Sequence, residues 1–244
     1  MRTQDDHGSR GVTTLGIDIS SQPEGTAACA ITWESGRAVA VTPCLACDDD
    51  TLTELIADAD AVGIDAPFGW PADFTAAVAA WTITSWSSDV RKQLCFRATD
   101  RVVRETVGRW PLSVSADRIA LPAMRTFALL FRHGVTDRSG DGKFYEVYPA
   151  GSLHQWKLAN QGYKKDTAEH QFARAAILTG LRKAMPWLTA PDACAENGDA
   201  LDALVASLTV RAAMQGRTLQ PTVEQAALAQ SEGWIHLPTN LPMP

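Results

Sequence analysis

Apolar and β-branched residues crowd into short runs near the start of the chain. VTTLGID at 12–18, GTAACAITW at 25–33 and RAVAVTP at 37–43 each read as a strand. The links between them hold Gly, Pro, Ser and Glu, which suits an antiparallel meander. TLTELIADA at 51–59 fits a helix, and AVGID at 61–65 is a short buried strand before a loop rich in Pro and Gly. Residues 71–134 are mostly helical in pattern. That span is long for a connection between strands, so a helical insertion beside the sheet is expected. KFYEV at 143–147 reads as the last strand, and 150–160 and 167–184 read as helices. DALDALVASLTVRAAM at 199–214 is the clearest helix, rich in Ala and Leu. EGWIHLP at 232–238 is open between a short strand and a packing segment.

The order predicts an α/β chain whose sheet starts antiparallel and continues through parallel crossovers, five strands in all. This is the element order of the RNase H-like fold, whose core also underlies sugar kinases, actin and heat-shock chaperones. Residues 1–11 are polar with both signs of charge and are expected to form a disordered tail. Residues 12–244 are expected to form one domain, with 71–134 as its insertion.

Aspartates close two of the predicted strands in matching contexts, LGID ending at Asp18 and VGID ending at Asp65. At the ends of adjacent parallel strands these carboxylates would sit close together and repel unless a cation intervenes. Oxygen ligands of this kind suit Mg²⁺ or Mn²⁺. The alternative is that each aspartate caps a turn. Asp199 and Asp202 open the strong helix three residues apart and share a face with Ala203 and Ala206, small enough to let a helix approach a sheet. Acids in a first helical turn also simply favour the positive helix end. Glu146 lies between Phe144 and Tyr148 on one face of its strand, which makes it a site residue or an edge feature.

Composition narrows the function classes. No apolar run approaches a membrane span, so no membrane partner is expected. Five cysteines give no disulfide framework, and the Cys44–Cys47 pair lacks companions for a zinc set, so a cytoplasmic protein with ordinary thiols is the expectation. A net charge of −6 argues against a nonspecific nucleic-acid coat while leaving room for a local basic groove. Arg97, Arg101 and Arg104 would line one helix face and contact phosphate, as would Lys164 and Lys165. The alternative for both sets is a solvated surface. Eight tryptophans invite base stacking, although most tryptophans pack in cores. Trp70, just after Asp65, is the best placed of them. There is no Walker-type loop and no GxGxxG motif.

Together LGID, GIDAPFGWP, FRATDR at 96–101, YEVYPAGSLHQW at 145–156, DALDAL at 199–204 and EGWIHLP resemble the predicted RNase H-like nuclease family, domain of unknown function family 429. The segments run in the family's order from about 13 to 238. DALDAL also resembles the last metal-binding segment of Holliday-junction resolvases, where a helix start supplies a ligand. The resemblance implies Asp18, Asp65 and Asp202 as metal ligands with Asp199 as an accessory. The second strand position is glutamate in the resolvases and aspartate here.

The expected activity is therefore metal-dependent hydrolysis of phosphodiesters, with two divalent ions roughly 4 Å apart. Asp18, Asp65, Glu146 and Asp202 would form the catalytic set. Arg97, Arg101, Lys164 and Trp70 would meet a nucleic acid or nucleotide held with modest affinity. One rival is a binding domain without turnover. The other is a sugar-kinase-like phosphotransferase, since GIDISSQPEGTA loosely resembles a first phosphate loop. The sequence leaves the oligomeric state open, a homodimer included.

Overall fold

A computed structural model describes residues 11–140 and 142–244, so the tail expected over 1–11 lies outside the described residues except for Gly11. Its strands are β1 (Val12–Asp18), β2 (Ala27–Glu34), β3 (Arg37–Ala40), β4 (Cys44–Leu45), β5 (Ala61–Ile64), β6 (Phe144–Glu146) and β7 (Leu188–Thr189). They form one mixed sheet of seven strands in the order β6-β5-β1-β2-β3-β7, with β4 pairing the free end of β2. β1, β2 and β3 are antiparallel neighbours, while β5 and β6 run parallel to β1 on its other side. The expected five strands become seven because β4 and β7 are two residues each, too short for alternation to reveal.

Among the described residues the helices are α1 (Asp49–Asp58), α2 (Ala72–Ala80), α3 (Ser88–Cys95), α4 (Ala98–Val107), α5 (Ala120–Arg132), α6 (Pro149–Gln155), α7 (Ala168–Ala184), α8 (Gly198–Met214) and α9 (Val223–Glu232). The expected helical stretch between β5 and β6 is α2 to α5. α9 was not anticipated from the sequence. EGWIHLP makes only bridges, Ile235 beside Glu146 and Pro238 opposite Thr218.

Both faces of the sheet are covered, which is why β1 and β5 are buried rather than alternating with solvent. On one face Leu15, Ile17, Ala28, Val62 and Ile64 pack with Leu52 and Ile56 of α1 and with Leu129 and Leu130 of α5. On the other, Cys29, Ile31 and Trp33 meet Leu201, Leu204 and Leu208 of α8, with α7 behind. Helix α8 lies directly on β1. A Cβ on Gly16 would collide with the backbone of Ala203 and Ser207, and one on Gly63 would come within 2.9 Å of the Ala206 carbonyl. A polar clasp closes the contact: the Trp33 indole donates to Thr14 Oγ1 at 2.8 Å, and Ser207 Oγ donates to the Thr14 carbonyl at 3.0 Å.

Candidate metal centre

The two GID motifs work through strand geometry. β1 and β5 pair in register, Gly16 beside Gly63 and Ile17 beside Ile64, and the Asp65 amide donates to the Ile17 carbonyl at 2.8 Å. Side chains alternate along a strand, so each aspartate points to the same face as the glycine two residues before it. The glycines admit α8 to that face, and the aspartates therefore emerge where α8 begins. Asn197 caps α8, its side chain accepting from the Ala200 amide at 2.7 Å. Asp202 projects from the start of the next turn. One oxygen from each of Asp18, Asp65 and Asp202 lies within 4.8 Å of the others.

One ammonium group serves these acids. Lys164, in the loop between α6 and α7, donates to Asp18 Oδ2 at 2.8 Å, pairs with Asp202 Oδ2, and stands 3.9 Å from Asp199 Oδ1. The Tyr163 hydroxyl donates to the other oxygen of Asp202 at 2.8 Å. The Asp65 carboxylate receives no hydrogen bond from any described residue. Asp199 is half-exposed at the rim.

Burial pushes the Asp18 carboxyl up to about 7, with Lys164 pulling the other way and Asp202 adding to the rise. Asp65 is pushed well above the carboxylate range by burial and then by Asp18 and Asp202. Burial also raises Asp202 against the pull of Lys164. Burial alone would lower the Lys164 ammonium, yet Asp202, Asp18 and Asp65 together hold it well above its usual value. The two sides of the ion pair rise for different reasons, the acids mainly through burial and the lysine through its carboxylate neighbours. Among the described residues three carboxylates share one cation, so the acids are short of positive charge while the lysine is surrounded by negative charge.

Glu146 reaches the same cleft as Asp18 and Asp65 but is not one of the three clustered carboxylates. In the sheet it pairs with Ile64, so the face carrying Asp18 and Asp65 is matched on β6 by Tyr145 instead. Glu146 is buried in a bidentate ion pair with Arg97, at 2.7 Å from Nη2 and 2.9 Å from Nη1, and also accepts from the Phe68 amide at 2.9 Å. Asp100 holds the far side of the same guanidinium at 2.9 Å. Arg97, expected on an exposed strip with Arg101 and Arg104, instead precedes α4 and turns inward, 2 % exposed. Its remaining Nη1 contact is the Glu232 carbonyl at 3.0 Å. The Glu232 side chain accepts from the Ala72 and Ala98 amides, tying the starts of α2 and α4 together. Arg101 stays on the surface. Trp70 is half-buried in the loop after β5 and lines neither lobe of the cleft described next.

That cleft opens over the three aspartates in two lobes. One, of about 300 Å³, is walled by Asp18, Asp65, Arg97, Glu146, Tyr148 and Lys164 among others. The second, of about 270 Å³, is reached past Asp65, Tyr148 and Lys164 and includes Arg109, Trp110, Tyr163 and Asp202. No sequence pattern singles out Tyr148, Tyr163, Arg109 or Trp110 as lining the cleft. Each reaches the cleft from a loop or a loop edge, where no periodicity flags it. All five cysteines are free, and burial pushes the Cys47 thiol up to about 12, in keeping with an ordinary thiol.

The chain belongs to the family described as Protein of unknown function (DUF429), whose model matches residues 16–226 and so spans all three aspartates. No curated protein matches it. No helix among the described residues is long and apolar enough to cross a membrane.

Proposed function

We propose that this member of the family is a divalent-metal-dependent phosphodiesterase acting on nucleic acid, built on an RNase H-like core. The observation that carries this reading is the convergence of Asp18, Asp65 and Asp202 within 4.8 Å from two parallel strand ends and one helix start. The strand order β3-β2-β1-β5-β6, antiparallel and then parallel, supports the fold assignment.

The donor set fits a hard cation. It is all oxygen, it is short of positive charge, and among the described residues the Asp65 carboxylate has no hydrogen-bond partner beside an open cleft. Asp18, Asp65 and Asp202 would hold Mg²⁺ or Mn²⁺, with Asp199 at the rim. Such an ion supplies charge stabilisation at a phosphoryl oxygen and an acidified water. The chain's own groups do the rest. Tyr163 fixes the orientation of Asp202 by holding one of its oxygens. Lys164 brings a second positive charge to the same cleft, placed to offset phosphate. With an ammonium already between Asp18 and Asp202, one divalent ion plus Lys164 balances three carboxylates, and a second ion is not needed for charge neutrality. Glu146 is held by Arg97, lines the cleft beside Asp65 and anchors the following loop at Phe68.

The ion pairs of Lys164 also favour a second reading, in which the lysine satisfies the cluster and the domain binds without turnover. Labelled DNA, RNA and hybrid substrates incubated with Mn²⁺, Mg²⁺ or EDTA separate the two. Metal-dependent cleavage that disappears in Asp65→Asn is the expected result. If the folded protein cleaves nothing and binds no Mn²⁺ by calorimetry, the binding-domain reading stands instead.

A further inference from the structure

The cleft over the carboxylates does not end at Trp110. The same side chain lines a second surface groove of about 370 Å³, together with Lys92, Arg101 and Arg104. The Trp110 ring is stacked on Phe96 with centroids 4.0 Å apart and planes 20° from parallel, and the residue is 39 % exposed. Phe96 thus backs the indole and leaves part of it open to the groove. Arg101 and Arg104 stand three apart on α4, on one side of the helix. Neither guanidinium is in an ion pair among the described residues, and Arg101 makes only a long contact of 3.5 Å to the Phe96 carbonyl. Two acids share the lining. Asp89 is paired with Lys92 at 3.5 Å, and Glu105 has no basic partner among the described residues.

We propose that this groove is a track for the flanking nucleotides of a single-stranded polynucleotide, with Trp110 as the stacking platform and Arg101 and Arg104 as the phosphate contacts. The proposal rests on the reading of the carboxylate cleft as a phosphodiesterase centre, and it names the substrate class. A nucleotide-sized substrate is accommodated by the cleft lobes and has no use for a groove beyond Trp110. A base within a duplex has both faces covered by its neighbours, whereas a base in a single strand offers a face to an indole. Two guanidiniums without ion-pair partners among the described residues, beside an aromatic platform continuous with the cleft, match a chain of phosphates and unstacked bases. Asp89 and Glu105 offset part of the basic charge, so the grip is modest and specific to this track rather than spread over the surface.

Anisotropy measurements with labelled dT12 and rU12 test this directly, run in EDTA so that nothing is cleaved, with thymidine monophosphate as competitor. The intact protein is expected to bind at least one 12-mer about tenfold or more tighter than the mononucleotide; the preferred arm identifies DNA or RNA. Replacing Arg101 and Arg104 by Ala should weaken 12-mer binding and flatten its salt dependence by a slope of about 1.4, the share of two phosphates on a single strand. Trp110→Ala should cost about tenfold in 12-mer affinity, and Trp110→Phe should restore most of it. Mn²⁺ affinity should be the same in all these variants. Equal binding of 12-mer and mononucleotide, or unchanged 12-mer affinity in the double arginine variant, overturns the track. Failure of the intact protein to bind Mn²⁺ overturns the metal centre instead, so the two readings fail separately.

Discussion

Two groups of buried acids stand at the ends of neighbouring strands, and they have opposite electrostatic characters. Around Glu146 and Asp100 the guanidinium of Arg97 meets both carboxylates face on, and backbone amides of Phe68 and Arg97 fill further lone pairs. Around Asp18, Asp65 and Asp202 a half-exposed lysine pairs with two carboxylates, and Asp65 has no hydrogen-bond partner among the described residues. The first group is closed by planar, bidentate geometry that an arginine can supply, with its lone pairs filled by hydrogen bonds. The second is left open toward solvent and short of charge. A buried acid becomes a candidate ligand through what it lacks, and Glu146 lacks nothing.

The comparison breaks most visibly if the closed group is opened. Arg97→Met removes the only cation shared by Asp100 and Glu146 and leaves two carboxylates in the interior. Loss of one partner from a buried pair costs about 3–5 kcal/mol. Urea unfolding should show a loss of that order, with Mn²⁺ affinity in the surviving folded fraction unchanged. A loss below about 1 kcal/mol would mean that Arg97 is not the structural hub its contacts describe.

Opening the second group by its cation has the opposite consequence. Lys164→Met leaves Asp18 and Asp202 without their ammonium, so the demand for an external cation grows. Lys164 is 47 % exposed, and solvent screens much of its Coulomb interaction. Mn²⁺ affinity measured by calorimetry should rise by roughly tenfold, about 1.4 kcal/mol, while phosphodiester turnover falls. Weaker Mn²⁺ binding in this variant would show that the lysine organises the ligands instead of competing with the ion.

Much of this was legible in the sequence. LGID and VGID gave both strand ends, and the small-residue face of DALDALVAS gave the helix that meets them. Gly16 and Asp18 are two apart, as Gly63 and Asp65 are, so one alternation rule brings helix and carboxylates to the same face. The Arg97 partner of Glu146 was not legible, because it comes from a distant helix start and leaves no trace within KFYEV itself. The burial of Arg97 was hidden in a similar way. Its spacing to Arg101 and Arg104 is helical, but the helix starts only at Ala98, so Arg97 precedes the periodic part and is free to turn inward. Tyr163 and Lys164 come from a loop whose path is fixed by distant contacts: the buried Arg174 guanidinium donates to the carbonyls of Tyr163 at 2.8 Å and Lys165 at 3.0 Å. No local pattern announces such a tether.

The smallest effect on stability is also the most discriminating. Asp65→Asn keeps the shape of the side chain and removes a carboxyl that burial and two neighbouring acids already disfavour as an anion. A closed ion pair would punish the change, as Glu146→Gln should by stripping charge from the Arg97 pair. An under-balanced ligand should not. In EDTA the variant should therefore match the intact protein within about 1 kcal/mol, a difference of roughly 2–4 °C in Tm at this size, and any shift should be upward because repulsion with Asp18 and Asp202 is relieved. Adding Mn²⁺ reverses the order. Binding to the native state alone stabilises the intact protein by about 2.7 kcal/mol at a hundredfold excess over Kd, and the variant, missing a ligand, should gain little. A loss above about 2 kcal/mol in EDTA would place Asp65 among the structural acids with Glu146 and remove the distinction between the two groups.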